Sequence, residues 1–298
     1  MTEQPFYCGF AAIVGRPNVG KSTLINSLVR QKVSIVTPKP QTTRNSIRGM
    51  VSDDTSQIIL VDTPGMHTGS SKAINRYLNK SAASAISDVD VVVFVVEALH
   101  WDAEDAAVLA KLPSQENVIL AVNKVDSIKD KDQLLPFLER LDSEFGFKTI
   151  IPISALANDN TERLLALIRE RLPESPPLFP LDQVTDQSER FLASEIIREK
   201  LMMRLRQELP YSLAVTIESF QRDNNLVKIN AVIWVERESQ KGIIIGNKGT
   251  VLKEIGSKAR LDIERQLDCK VYLDLWVKVK EGWSENERIL KTLGFDTQ

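Results

Sequence analysis

The sequence predicts two domains: an α/β domain whose mostly parallel sheet has helices on both faces, followed by an α+β domain. Residues 6–173 alternate short apolar runs with helical patterns, residues 173–182 carry four prolines in ten positions, and the pattern changes after them. A chain of 298 residues is also long enough for two domains of ordinary size, each with its own core.

The first domain is predicted to contain five buried strands separated by helical segments. Near-continuous apolar strands of this kind are typical of parallel sheets that are covered on both faces. Ligands of open α/β sheets bind at the carboxyl ends of such strands. The strands are predicted at 10–15, 57–62, 89–96, 117–123 and 148–154, and two of the helices at 21–30 and 132–146.

The proline-rich stretch marks a boundary. Proline removes a backbone donor and disfavours a helix at the preceding residue. We therefore predict domains at 1–173 and 185–298, joined by a linker at 174–184. In the second domain we predict a helix at 188–207, strands at 212–220 and 226–236 joined by a turn, a glycine loop at 242–249, a helix at 250–267 and a last strand at 270–280.

Composition and charge exclude several classes of protein. The net charge is −2, so the total gives no sign of a nucleic-acid or membrane partner. The apolar run at 91–96 is too short to span a bilayer, and the N-terminus lacks a secretory pattern, so a cytoplasmic location is expected. Cys8 and Cys269 are expected to be reduced thiols, and His67 and His100 are not at zinc-ligand spacing.

Residues 15–22, GRPNVGKS, match the P-loop pattern G-x-x-x-x-G-K-[ST] between a predicted strand and a predicted helix. The glycines let backbone N–H groups point at phosphate oxygens, and the helix N-terminus favours negative charge. Lys21 would reach the β and γ phosphates, and the Ser22 hydroxyl would bind Mg²⁺. An ordinary glycine turn is the alternative. The predicted phosphate-binding residues here are Gly15, Arg16, Pro17, Asn18, Val19, Gly20, Lys21, Ser22 and Thr23.

Asp62 ends a predicted strand and opens the sequence DTPG at 62–65. A carboxylate at this place can hold Mg²⁺ through its water shell, and the Gly65 amide can meet the γ-phosphate. Alone, D-x-x-G is more often a plain turn. Because it follows the P-loop by one strand, we predict that Asp62 is a magnesium ligand and that Gly65 binds phosphate.

The segment 40–48 contains two threonines, either of which can bind Mg²⁺ and sense the γ-phosphate. The sequence barely separates Thr42 from Thr43, and we choose Thr43 as the ligand. The alternative is a plain polar loop. We predict Lys21 and Thr43 as the catalytic residues.

NKVD at 123–126 indicates which base is bound. An aspartate at Asp126 can accept two hydrogen bonds from guanine, whereas adenine offers no such donor pair. Asn123 and Lys124 would brace the base and the P-loop, and Ser154, Ala155 and Leu156 would close over the base by backbone contact. A solvated turn is the alternative for NKVD alone. Because the motifs follow one another at strand ends, they predict a guanine-nucleotide site.

The position that follows D-x-x-G is Met66, where some GTPases carry the glutamine that orients the attacking water. A methionine cannot orient water. Water must therefore be positioned by the backbone and a bound cation, or by a group from a partner, and slow unassisted hydrolysis is expected.

Residues 245–255 fit I-G-x-x-G-x-x-[IL]-x-x-I, the pattern of a KH module. The G-x-x-G turn lets a nucleic-acid backbone approach closely, beside an apolar groove for about four bases of a single strand. A bare glycine turn is the alternative. The predicted RNA-binding residues are Lys241, Ile245, Gly246, Asn247, Lys248, Gly249 and Leu252.

Charge supports this interpretation only around the loop. Residues 237–260 hold six Lys and Arg against two Glu, a net of +4, whereas residues 185–298 hold 19 basic and 18 acidic residues, a net of +1. Trp234, Trp276 and Trp283 are expected to be core or packing residues rather than platforms for base stacking.

These motifs together resemble the bacterial Era family of GTPases over nearly the whole chain. The resemblance rests on GRPNVGKSTLIN, PQTTR, DTPGMH, NKVD and SAL, and on a KH module with IGNKG and the tail LWVKVKEGWSENERILKTLGF. It implies a KH domain of type II, hydrolysis of GTP with Mg²⁺, and binding of the 3′ end of 16S rRNA during assembly of the small (30S) ribosomal subunit. It also implies peripheral contact with the inner membrane, and a potassium ion held near the phosphates by Asn18.

Two other functions compete with a GTP-controlled RNA-binding factor. A small-molecule kinase is disfavoured by NKVD and by the lack of an evident site for an acceptor substrate, so no small-molecule acceptor is expected. A passive RNA-binding scaffold with an inert nucleotide site is disfavoured because Lys21, Ser22 and Asp62 are all present.

Overall fold

The computed structural model describes residues 5–39, 42–63, 89–112, 117–205 and 209–285. The described residues form two compact units. The first ends at Asp186, and the second begins at Gln187 and also includes the described residues of the segment Ile35–Thr42. No helix among the described residues has the length and apolar character that crossing a membrane requires.

The first unit is built on a six-stranded sheet. The strand order is β2-β3-β1-β4-β5-β6, and every neighbouring pair is parallel except β2 with β3. The predicted strands all occur, but β1 begins at Tyr7 instead of 10 and β6 covers only Ile150–Pro152 of the predicted 148–154. The antiparallel edge strand β2 is an addition. The strands are β1 Tyr7–Val14, β2 Ile47–Ser52, β3 Ser56–Asp62, β4 Val91–Glu97, β5 Val118–Asn123 and β6 Ile150–Pro152.

Helices pack on both faces of this sheet, as the apolar strands predict. One buried cluster joins the sheet to α1 and α4, and another joins it to α2 and α3. The predicted helix at 132–146 begins as a 3₁₀ turn and ends at Gly146, whose φ of 67° stops it. The described helices are α1 Lys21–Val29, α2 Ala103–Leu109, α3 Leu134–Phe145 and α4 Thr161–Arg169.

The proline-rich segment, predicted as a linker at 174–184, packs as part of the first unit. The backbone N–H groups of Leu178 and Phe179 donate to the buried side-chain carbonyl of Gln57, each at 2.9 Å. Phe179 also packs beside Cys8 and Met50. The prolines leave the segment extended, and Gln57 provides the hydrogen bonds that a helix would otherwise have made.

The second unit is a three-stranded sheet with helices on one face. Strand β7 pairs antiparallel with β8, and β8 pairs parallel with β9. Apolar residues of the helices and strands form one buried cluster between them. The elements are α5 Glu189–Arg204, β7 Leu213–Asp223, β8 Leu226–Val235, α6 Glu238–Ile245, α7 Thr250–Leu267 and β9 Lys270–Val279.

Two predictions for the second unit need correction. The glycine loop does not begin at Gly242, because α6 continues to Ile245 and the loop starts at Gly246. Trp283 is fully buried as predicted, but Trp276 is 60% exposed and is not a core residue. Strand alternation explains the difference, since Trp276 points to the face of the sheet away from the helices.

Candidate functional site

The P-loop joins β1 to α1 and folds tightly because of its glycines. A Cβ atom on Gly15 would lie 2.4 Å from the carbonyl oxygen of Val95, and one on Gly20 would lie 2.3 Å from the Asn123 amide nitrogen. Gly20 has a φ of 102° and directly precedes the helix. The loop therefore needs glycine at both ends, and it places the N-terminus of α1 where an anion can bind.

Lys21 is buried at the start of α1. Its Nζ donates hydrogen bonds to the backbone carbonyls of Gly15 at 2.9 Å and Arg16 at 2.8 Å. Burial lowers the pKa of Lys21 to about 8, although the nearby Asp62 opposes this shift. The P-loop thus surrounds a desolvated ammonium group, which pairs well with phosphate oxygens.

The other predicted P-loop residues surround this lysine. Val19 is buried, Ser22 and Thr23 are half-buried, and Asn18 is exposed with a φ of 65°. Arg16 and Pro17 are half-buried. Asn18 is the one predicted ligand of a potassium ion.

All three predicted magnesium ligands meet beside the P-loop. Asp62 Oδ2 accepts hydrogen bonds from the hydroxyls of Ser22 at 2.9 Å, Ser34 at 2.7 Å and Thr43 at 3.2 Å. Its other carboxylate oxygen, Oδ1, is buried without a hydrogen-bond partner among the described residues. Burial raises the pKa of Asp62.

This set of groups fits Mg²⁺. A hard cation prefers carboxylate and hydroxyl oxygens, and the cluster offers both kinds around one orphaned carboxylate oxygen. The Ser22 and Thr43 hydroxyls lie 2.9 Å apart. The residues that would hold the ion are therefore Ser22, Thr43 and Asp62.

The structure separates the two threonines that the sequence left nearly equal. The hydroxyl of Thr42 pairs with the Thr37 hydroxyl at 2.7 Å and donates to the Lys39 carbonyl at 2.6 Å. The Thr42 carbonyl accepts a hydrogen bond from Arg198 within the second unit. Only Thr43 reaches Ser22 and Asp62.

Asn123 braces the NKVD motif against its neighbours. Its amide nitrogen donates to the Val19 carbonyl at 2.8 Å, and its amide oxygen accepts from the backbone N–H of Ala155 at 2.9 Å. One buried side chain therefore links the P-loop, β5 and the SAL motif.

Asp126 lies on the exposed side of this brace and keeps a carboxylate available. It accepts a hydrogen bond from the Ser154 hydroxyl, which in turn accepts from the backbone N–H of Ala157 at 3.0 Å. Leu156 is 78% exposed. The Ser154 hydroxyl orients the Asp126 carboxylate from the protein side. The solvent side of the carboxylate stays exposed and can accept from a pair of donors.

Two groups of this site were missed in the sequence. Glu97, the last residue of β4, accepts from Lys124 Nζ at 2.9 Å and from Arg16 at 3.4 Å. Arg16 also pairs with the fully buried Asp105 at 3.1 Å. Glu97 could have been found from its place at a strand's carboxyl end. Ser34, the third donor to Asp62, has no sequence signal of its own.

Two predicted residues cannot be placed. Gly65 and Met66, with the rest of residues 64–88, lie outside the described part of the chain. Their roles remain predictions.

The loop from Gly246 to Gly249 connects α6 to α7 in the second unit. Gly246 and Gly249 have φ values of 72° and 77°, and Lys248 between them has a φ of 49°. A Cβ atom on Gly246 would lie 2.4 Å from a Val251 methyl group, whereas one on Gly249 would meet nothing within 4 Å. Gly246 is thus needed for the fold, and the space beside Gly249 is open to an approaching backbone.

Lys248 carries the positive charge of the loop from Gly246 to Gly249. Lys248 and Asn247 are exposed, and Lys248 forms no ion pair among the described residues. Lys241 lies 3.9 Å from Glu238. Ile245 and Leu252 are half-buried and pack against the core of the unit. Together they form a cationic turn beside an apolar surface, the combination that contacts single-stranded RNA.

Family models match both halves of the chain. The model for 50S ribosome-binding GTPases matches residues 10–124, and the model for KH domains matches residues 208–284.

Curated relatives match over the full length. GTPase Era of Coxiella burnetii (strain Dugway 5J108-111) is 53% identical over 98% of this chain and 99% of its own. GTPase Era of Glaesserella parasuis serovar 5 (strain SH0165) is 54% identical over 99% of both chains.

Solved structures of Era are similar to this chain over nearly its full length. A variant of Aquifex aeolicus Era bound to GDP and AlF4⁻ superposes with a TM-score of 0.94 at 38% identity, covering 98% of this chain and all of its own. A structure of Era with MgGDPNP and nucleotides 1506–1542 of 16S ribosomal RNA has a TM-score of 0.93, with the same identity and coverage.

Proposed function

Because this chain belongs to the Era family of GTPases, we propose that it hydrolyses GTP to GDP and phosphate as a switch that binds the 3′ end of 16S rRNA. The proposal extends to assistance in maturation of the small (30S) ribosomal subunit. A related Era structure that contains both a GTP analogue and the rRNA 3′ end supports this pairing of ligands.

One observation carries the nucleotide half of the proposal. The buried Asp62 carboxylate has an orphaned oxygen beside the hydroxyls of Ser22 and Thr43, and the buried Lys21 ammonium lies in the adjacent loop. A desolvated cation next to hard oxygen ligands is the arrangement that a magnesium-bound triphosphate requires. This arrangement of a buried cation beside oxygen ligands argues against an inert nucleotide site.

Each group then has a role. Backbone N–H groups of the P-loop bind the phosphates, and Lys21 neutralises charge on the β and γ phosphates. Ser22, Thr43 and Asp62 orient the metal-bound phosphate. Mg²⁺, when bound, neutralises phosphate charge and fixes the geometry of transfer. Asp126 selects guanine by accepting from its N1–H and amino group, and Asn123 holds the loops around the base in register.

Water must be positioned without a glutamine. We propose that the backbone and a potassium ion beside Asn18 position the water, or that a partner supplies the missing group. Slow hydrolysis in the absence of RNA or K⁺ follows from this arrangement.

The RNA half of the proposal rests on the loop from Gly246 to Gly249. Its open space beside Gly249 suits a phosphate backbone, as does Lys248, which has no ion pair with any residue that the structure describes. Leu252 and Ile245 border a surface for bases. The cytoplasmic location expected from the sequence and the peripheral contact with the inner membrane implied by the family resemblance both stay predictions.

The test measures both activities in the full chain. GTP hydrolysis is followed with and without K⁺ and an RNA of the 16S 3′ end, and RNA affinity is measured with GDP and with a non-hydrolysable GTP analogue. Lys21→Ala should lose nucleotide binding and hydrolysis, and the double variant Asn247→Asp, Lys248→Asp should lose RNA binding only.

Three results would contradict the proposal. Hydrolysis absent under every condition would favour a passive RNA-binding scaffold. Transfer of the γ-phosphate to a small molecule would favour a kinase. RNA affinity equal in the double variant and the wild type would mean that the loop is only a turn.

A further inference from the structure

We propose that the outer face of the β7–β8–β9 sheet is a second contact surface for single-stranded RNA, on the side of the sheet away from the helices. Here "outer face" means the side formed by Lys228, Asn230, Val232, Trp234, Tyr272, Asp274, Trp276 and Lys278. The inference rests on the proposed RNA-binding function and adds a site to it.

The two largest exposed aromatic side chains of the described residues lie on this face. Along β9, Val271 and Val277 are buried against the helices, whereas Tyr272 is 59% exposed and Trp276 is 60% exposed. Strand alternation puts both rings on the outer face. Indole and phenol rings left in water on one face are a sign of a binding surface rather than of core packing.

The neighbouring strand completes the surface. Lys228 lies opposite Tyr272, Val232 opposite Trp276, and Trp234 opposite Lys278 in the parallel β8–β9 register. The indole nitrogen of Trp234 donates to the Thr216 hydroxyl at 2.9 Å. Cross-strand neighbours at this spacing form one continuous surface.

A hydrogen bond fixes the Trp276 ring by its edge, because its indole N–H donates to Asp274 at 2.9 Å. The Trp234 ring differs, since the Lys278 and Lys280 ammonium groups lie over its face at 5.7 Å and 5.6 Å from the ring centre. An indole held by its edge offers its flat face to a base, and every base can stack on it.

The charge of the three strands is close to balanced. They carry four basic residues, Arg222, Lys228, Lys270 and Lys278, against three acidic residues, Glu218, Asp223 and Asp274. Lys278 pairs with Glu218 at 3.1 Å and Lys228 lies 3.7 Å from Asp223, and both pairs are about half exposed. Exposed ion pairs contribute little, so phosphates can replace these carboxylates.

Aromatic rings with lysines around them on an open sheet match single-stranded RNA better than a protein partner. RNA-binding sheets stack successive bases on aromatic residues in this way. A protein interface of the same size would place its aromatic residues in a core depleted of charge, which this face does not have.

The experiment measures anisotropy of a labelled RNA spanning nucleotides 1506–1542 of 16S rRNA, titrated with the full chain. Trp276→Ala should weaken binding roughly tenfold, because one base loses its stacking partner. Trp276→Phe should restore most of the affinity, and Tyr272→Ala should act like Trp276→Ala. Leu261→Ala is the control: it removes an exposed apolar side chain from α7 and should leave the RNA affinity unchanged.

The outcomes separate this inference from the proposed function. Wild-type protein that fails to bind the RNA would contradict both. Wild-type binding that Trp276→Ala and Tyr272→Ala leave unchanged would overturn the second surface alone. Equal loss in Trp276→Ala and Trp276→Phe would exclude stacking. Thermal melting of each variant identifies any loss that comes from unfolding.

Discussion

The side-chain amide of Asn123 donates a 2.8 Å hydrogen bond to the backbone carbonyl of Val19, so a residue of the base-recognition motif holds the P-loop directly. The two motifs are far apart in sequence and come from different strand ends. Their connection through one buried amide means that base recognition and phosphate binding depend on each other.

Asn123→Ala should therefore weaken binding of GDP and GTP alike. The buried Val19 carbonyl would lose its donor, at a cost of about 2 kcal/mol, which is roughly 30-fold in Kd. Fluorescent GDP titration measures the effect. Ser143→Ala, which removes an exposed hydroxyl from α3, is the matched control and should bind normally. Normal nucleotide affinity in Asn123→Ala would show that the hydrogen bond between Asn123 and Val19 does not contribute to nucleotide binding.

Asp126→Asn should change which base is accepted. An amide can donate to the 2-carbonyl of xanthine, but it cannot accept both of guanine's donors, so preference should move from GDP toward xanthosine diphosphate by roughly 100-fold. Competition binding with the two nucleotides measures the ratio. Unaltered preference for GDP would contradict the role of Asp126.

Lys21 gives the site a pH dependence. Because burial lowers its pKa to about 8 in the free protein, the ammonium is lost as the pH rises through that value, and affinity for GDP should fall. Bound phosphate should raise the pKa again, so binding near pH 8 should take up protons. Calorimetry in two buffers of different ionisation enthalpy measures this uptake.

The same shift predicts how stability depends on pH. The unfolded state holds the lysine proton up to a pKa near 10.5, whereas the folded free protein releases it at about 8. Between these values the unfolded state binds more protons, so this group makes the folded protein more stable as the pH rises. The free energy of unfolding of wild type and of Lys21→Met is measured by denaturant melts across that pH range. It should rise more steeply with pH in the wild type, and equal dependence on pH in the two proteins would contradict the lowered pKa of Lys21.

Gly246 and Gly249 should respond differently to alanine. Gly246→Ala would push a methyl group into Val251 and force a backbone region open almost only to glycine, so it should cost roughly 3 kcal/mol of stability. Gly249→Ala has open space and should cost about 1 kcal/mol, yet it should weaken RNA binding because the methyl group fills that space.

Gly242→Ala is the control for these two changes. Gly242 lies inside α6 with nothing near its Cβ position, so alanine should stabilise the protein by about 0.5–1 kcal/mol and leave RNA affinity unchanged. Chemical denaturation and RNA anisotropy measure both quantities. Equal RNA affinity in Gly249→Ala and wild type would contradict close approach at this loop.

Local patterns predicted most of the fold. The buried strands were recognisable because they are continuous apolar runs, and α7 was predicted with its observed limits because its apolar spacing is regular and its start follows Gly249. The helices α2 and α4 and the edge strand β2 were not predicted. The patterns of α2 and β2 are weak, whereas α4 has regular apolar spacing at Leu164, Leu165 and Ile168 that the sequence already showed.

Side-chain direction limited the prediction of the site. P-loop and NKVD residues could be assigned because their spacing alone specifies their chemistry. Thr42 and Thr43 could not be separated by pattern, because neighbouring residues differ only in which way the backbone turns them. Glu97 and Trp276 depend on the face of a strand, which the sequence leaves open until its neighbours are known.

The hydrogen bonds between Gln57 and the proline-rich segment determine where the chain can be truncated without disturbing the first unit. A fragment that stops at Pro173 would remove the two backbone donors of the buried Gln57 side-chain carbonyl and would remove Phe179 from its packing beside Cys8 and Met50. One that continues to Asp186 keeps both, together with the hydrogen bond from the Met50 N–H to the Val184 carbonyl. The prolines, which mark a domain boundary in the sequence, therefore lie in a segment that packs as part of the first unit.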